Sequence, residues 1–106
     1  MNTETKTQKL GAEDGKLVDL ATAALVDPNL HTDTRMHISN EISGLLRKAH
    51  EDLYGPDGRE RHERTAAEHD HHVPRMLEAV LVDPNLHTDL RTRLHREIEE
   101  ILSSAR

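Results

Sequence analysis

Cysteine, phenylalanine and tryptophan are absent from this 106-residue chain, and tyrosine occurs once. The missing cysteines exclude disulfides, thiolate metal sites and cysteine nucleophiles, and with them a stapled secreted miniprotein. Without aromatics, the apolar residues are mostly Leu and Ala with a minority of Val, Ile and Met. That set favours helices over strands. No apolar run approaches the length needed to cross a bilayer, and residues 1–15 (MNTETKTQKLGAEDG) lack the apolar stretch of a signal peptide. These features predict a soluble, cytoplasmic protein with no membrane partner. A basic segment is missing too: the chain carries 14 Lys and Arg against 20 Asp and Glu. The electrostatic attraction that dominates nucleic-acid affinity is therefore lacking, and anionic lipid is disfavoured.

Catalytic signatures are equally scarce. There is no glycine-rich phosphate loop, and Ser39, Ser43, Ser103 and Ser104 have no nucleophile-elbow context. His62-Glu63 is followed by Arg64, Thr65 and Ala66, so the metalloprotease pattern HExxH is not formed. Glu97, Glu99 and Glu100 read as solvated helix residues. No enzymatic activity is predicted.

What the chain does have is a duplication. LVDPNLHTDTRMHISNEISGLL at 25–46 and LVDPNLHTDLRTRLHREIEEIL at 81–102 share 13 of 22 residues, nine of them consecutive. Upstream, Leu17, Leu20, Ala21 and Ala24 match Val73, Met76, Leu77 and Val80 in apolar register. Each unit thus reads as a helix, the LVDPNLHTD junction and a second helix. Pro28 and Pro84 disfavour helical geometry at the residue before them, so the first helix of each unit should stop near Val26 or Val82. Asp27 and Asp83 can accept from free amides just past the proline. Thr32 and Thr88 are the expected caps of the next helix, with Asp33 and Asp89 in its first turn and Leu30 and Leu86 plugging the angle. Apolar stripes follow: Thr34, Ile38, Ile42, Leu45, Leu46, Ala49 and Leu53 in one copy, Leu90, Leu94, Ile98, Ile101, Leu102 and Ala105 in the other.

The prediction is an all-α protein of tandem duplicated helical hairpins in a small four- to five-helix bundle. Residues 1–13 read as a flexible tail, 14–55 as the first hairpin, 56–71 as a polar histidine-rich linker or bridging helix, and 72–106 as the second hairpin. Helices are expected near 14–26, 33–53, 74–82 and 89–104, with a polar helix near 58–71. Gly55-Pro56-Asp57-Gly58 closes the first unit, while Gly44 is a weak spot or a close-packing position. A chain of this size buries only about two-thirds of its extended surface. The two units should therefore cover each other's leucine faces, or those of a second copy in a homodimer.

Nine histidines are the other excess. Only His31 and His87 recur in register. The function expected is that of an interaction, adaptor or regulatory subunit binding a protein partner through Asp27, Asn29, His31 and Asp33 and their counterparts Asp83, Asn85, His87 and Asp89. In a purely architectural reading, Pro28, Leu30, Thr32, Pro84, Leu86 and Thr88 shape the turns and nothing more. No cofactor is required, but zinc or another first-row divalent ion is the alternative, held by His31 and His87 or by His69 and His72, which share a face if the linker is helical. His62 reads as a solvated linker residue, and His50 and His95 as boundary residues beside apolar stripes. So many histidines also make pH-dependent association a testable idea. Ranked last is a helix-turn-helix-like nucleic-acid binder using Arg91, Arg93 and Arg96.

Overall fold

The computed structural model describes residues 10–105. Five α-helices are formed: α1 Ala12–Leu25, α2 Thr32–Tyr54, α3 Gly58–Glu68, α4 Val73–Leu81 and α5 Thr88–Ser104, with a 3₁₀ turn at Gly55–Asp57. There is no strand among the described residues, and no helix is long and apolar enough to cross a membrane. The chain is a small all-α bundle. Helix α1 starts at Ala12, inside the stretch read as a tail; residues 1–9 of that stretch lie outside the described residues.

Both proline junctions behave as their chemistry requires. Helices α1 and α4 stop at Leu25 and Leu81, with Val26 and Val82 as their last caps. The Asn29 amide then donates to Asp27 Oδ1 at 2.8 Å, and the Asn85 amide to Asp83 Oδ1 at 2.9 Å. Leu30 and Leu86 each donate from the backbone to the carbonyl of that aspartate at 3.1 Å, closing the turn. The threonines do not cap. His31 and His87 hold the extended conformation before α2 and α5, and their carbonyls accept the first helical bonds from Arg35 and Arg91. Thr32 and Thr88 are the first helical residues, and no side chain bonds at either cap.

The units interlock. Helix α1 packs on α4 and α5, and α2 packs on α3, α4 and α5, while α1 touches α2 only slightly and α4 touches α5 still less. Equivalent helices therefore face each other, α1 on α4 and α2 on α5. Each unit is a V whose inner faces are covered by the other unit within one chain. Ile38, Ile42, Leu46, Met76, Leu77, Val80, Leu81 and Ile98 are its largest fully buried side chains. Helix α4 lies at the centre: six of its nine residues are buried, Val73, Pro74, Met76, Leu77, Val80 and Leu81. That distribution suits a helix covered on several sides.

The linker is a helix with an inner face. Gly58, His62 and Ala66, four apart, are buried against α2. This corrects the reading of His62 as a solvated residue, and also of His50 as a boundary residue, since His50 is 2% exposed. A Cβ on Gly58 would lie 2.3 Å from the His50 carbonyl oxygen and 2.4 Å from Glu51 Cα, so α3 approaches α2 as only glycine permits. Helix α3 ends at Glu68, short of residue 71, through paired bonds from the His71 amide to Ala66 (2.7 Å) and the Asp70 amide to Ala67 (3.3 Å). Asp70 and His71 both take left-handed conformations, at φ 54° and 59°.

Candidate functional site

The twice-written junction has one backbone geometry and two environments. In the second copy, Asp83 and Leu86 are buried, each 7% exposed. The lone tyrosine accounts for this. Tyr54, the last residue of α2, donates its hydroxyl to Asp83 Oδ2 and accepts from Asn85 Nδ2 at 3.3 Å. Arg61 of α3 stacks over the Tyr54 ring, 4.3 Å from guanidinium carbon to ring centroid, and its Nη2 lies 3.6 Å from Asp83 Oδ2. Asp83 thus uses one oxygen to hold its own turn and the other to bind the α2–α3 corner. Burial pushes the Tyr54 phenol above its ordinary pKa, and the bond to Asp83 pushes it further the same way.

In the first copy Asp27, the counterpart of Asp83, is exposed, and Leu30 is half-buried against the core where Leu86 is buried, while the Pro, Asn, His, Thr and second Asp of the junction are exposed in both copies. The side chain of Asp27 accepts within its own turn. The exposed large hydrophobic residues among the described residues are Val26 at 66% and Met36 at 58%. Val26 belongs to the junction, and Met36 sits just past the first turn of α2.

Arginines at one repeated position brace both turns. Arg35 Nη2 donates to the Asp27 carbonyl at 3.0 Å and lies 3.4 Å from that of Leu30. Arg91 Nη1 donates to the Leu81 carbonyl at 2.9 Å. The Leu81 carbonyl, at the end of α4, is one that a helix terminus leaves without a helical partner. Arg91 also binds Asp14, whose other oxygen lies 2.6 Å from His95 Nε2, so a buried carboxylate of α1 is held by two residues of α5. Arg93 pairs with Asp52 at 3.0 Å. Two of the three arginines considered for nucleic acid are thus engaged inside the chain.

The histidines scatter. His31 and His87 are exposed at the starts of α2 and α5. His87 lines a cleft of about 790 Å³ with Pro84, Asn85, Asp89 and Leu90, and His31 has no part in it. His69 ends α3 and His72 precedes α4, on either side of the turn, so they do not share a helical face. Among the described residues no three His, Asp or Glu side chains converge as a metal site would require. The pair that does meet is His50 and His62, with Nδ1 atoms 3.1 Å apart in the α2–α3 seam. Burial lowers the pKa of His50 to about 4, helped by His62 and Arg61; burial also lowers that of His62, followed by the charge of Arg47.

Sequence reasoning missed the Tyr54, Arg61 and His62 cluster because none of these residues recurs in the duplication. A signal existed for α3 in the spacing of Gly58, His62 and Ala66, but glycine and histidine do not register in an apolar periodicity. The chain matches no model of a known protein family, no curated protein and no solved structure.

Proposed function

We propose that this protein is a non-catalytic interaction module, an adaptor or regulatory subunit that engages a protein partner through its first LVDPNLHTD junction. One observation carries the reading: two copies of the same nine residues hold the same turn, yet the first aspartate is buried under Tyr54 and Arg61 in the second copy and exposed in the first. Turn formation alone explains neither that difference nor the exposure of Val26 within the open copy. Exposed apolar side chains next to fixed polar groups are the usual make-up of a protein-binding patch. In this reading the second junction is architectural, locking the units together, and the first presents Asp27, Asn29, His31 and Asp33 outward.

Photo-crosslinking in the native cells tests this. A benzophenone side chain replacing Asn29 or Met36 should give a discrete protein adduct that is missing when the same group replaces Lys48, an exposed α2 residue outside the junction. The adduct should weaken when Asp27→Ala is added. Equal labelling from all three positions, or indifference to Asp27→Ala, would overturn the reading.

A further inference from the structure

The occupied copy shows what the open copy is shaped to receive. From the geometry of the second junction we infer that the first junction is a receptor for a tyrosine hydroxyl presented together with an arginine guanidinium, on a cationic segment of a partner protein. This names the partner chemistry of the surface proposed above and rests on that reading.

The two junctions have matched backbones. The intraturn bonds differ by 0.1 Å or less between copies: 2.8 against 2.9 Å from the asparagine amide to the aspartate, and 3.1 Å in both from the leucine amide. The residues that follow are also superposable in torsion, with His31 at φ −65°, ψ 149° and His87 at φ −77°, ψ 154°. Asp27 and Asn29 therefore hold their side chains on the same frame that gives Asp83 Oδ2 to Tyr54 and Arg61, and Asn85 Nδ2 to the Tyr54 oxygen. In the second copy that arrangement needs three complementary parts: a donor hydroxyl that also accepts, a ring, and a cation over the ring. In the first copy Asp27 Oδ1 is held by the Asn29 amide while Oδ2 has no partner among the described residues, and Asp33 in the first turn of α2 adds negative charge to the same junction, which favours a cation there as well. The net charge of −6 favours an oppositely charged partner at long range. Val26, exposed within the junction itself, supplies the apolar contact that a hydrogen bond and an exposed ion pair would lack.

The test uses the full-length chain, isotopically labelled, and a synthetic peptide copying residues 50–64 (HEDLYGPDGRERHER) with Glu51, Glu60 and Glu63 replaced by glutamine, which carries Tyr54 and Arg61 in their own spacing with a net positive charge. The peptide should shift the amide signals of residues 26–36 saturably, with a dissociation constant of about 1 mM or tighter. Tyrosine-to-phenylalanine in the peptide, or Asp27→Asn in the chain, should each weaken it roughly fivefold, the worth of one hydrogen bond of about 1 kcal/mol. Asp27→Asn keeps the acceptor for the Asn29 amide, so the turn persists. A cyclised form of the peptide, closed to hold the turn between Tyr54 and Arg61, is titrated alongside so that a disordered probe is not mistaken for an absent site. No saturable shift with either peptide, equal shifts with the phenylalanine form, or shifts at residues 83–89 in place of 26–36 would overturn the inference. If that happens while Asp27→Ala still weakens the crosslinked adduct, the recognition chemistry is wrong and the surface stands. If the adduct also persists, the surface itself is wrong.

Discussion

His50 and His62 face each other through their Nδ1 atoms at 3.1 Å, a contact that holds one proton and has no room for two. With both rings neutral, one donates and the other accepts. Burial holds both below the ordinary histidine value of 6.5, His50 at about 4. The unfolded chain therefore binds more protons than the folded one between pH 6.5 and about 4. Stability should be full above pH 6.5 and fall as the pH drops toward about 4 through His50, by up to about 1.4 kcal/mol per pH unit for one proton, with His62 adding to the loss in the same direction. Urea unfolding at intervals from pH 7.5 to 4.5 measures it. Replacing both histidines by leucine should remove most of the slope below pH 6.5, and an unchanged slope would show that other groups govern the acid response.

Asp83 and Asp27 occupy equivalent positions with unequal surroundings, so the same substitution should have unequal cost. Asp83→Ala strands Arg61 and the Tyr54 hydroxyl in a partly buried corner and should cost about 2–4 kcal/mol. Asp27→Ala loses one exposed turn bond and should cost about 1 kcal/mol or less. Tyr54→Phe should fall between them. Denaturant midpoints for the three variants decide this, and equal costs for the two aspartates would contradict the asymmetry on which the functional proposal stands.

Gly44 and Gly58 are both helical and should respond to alanine in opposite directions. A methyl on Gly44 meets nothing within 4 Å, which removes the close-packing explanation for that residue. Gly44→Ala should add about 0.5–1 kcal/mol of stability. Gly58→Ala would drive a methyl into the α2 backbone and should cost about 3 kcal/mol or more, by shifting α3 off its seam. Thermal melts of the two single variants give the comparison.

Asp70 stands where a helix C-terminus usually places glycine. Its left-handed backbone carries a strain that glycine lacks, offset in part by the freedom glycine has when unfolded. Asp70→Gly should raise stability by about 0.5–1 kcal/mol, measured by the same melts. A loss would mean that the Asp70 side chain contributes a contact worth more than the strain.

Much of the fold is local, and that part was readable. The prolines at 28 and 84 end the preceding helices because they cannot be accommodated in them, and the aspartates before them bind the next free amide because it is within reach. The positions of α1, α2, α4 and α5 follow from those stops and from the three-and-four spacing of Ile38, Ile42 and Leu46 or Leu94, Ile98 and Leu102. Capping was misread by one residue because histidine, without a side-chain bond, took the position that threonine's chemistry suits.

The duplication also showed, from the residues alone, that one turn sequence is written twice, and the structure gives both copies the same bonds. What only the tertiary structure decided is that they are not equivalent. Residues 54 and 61 meet Asp83 because α3 folds back along α2, a path made by a glycine approach and a buried histidine pair that no periodicity reveals. A side chain's bonds within its own turn depend on neighbours in sequence, but its exposure depends on which distant helix end arrives beside it.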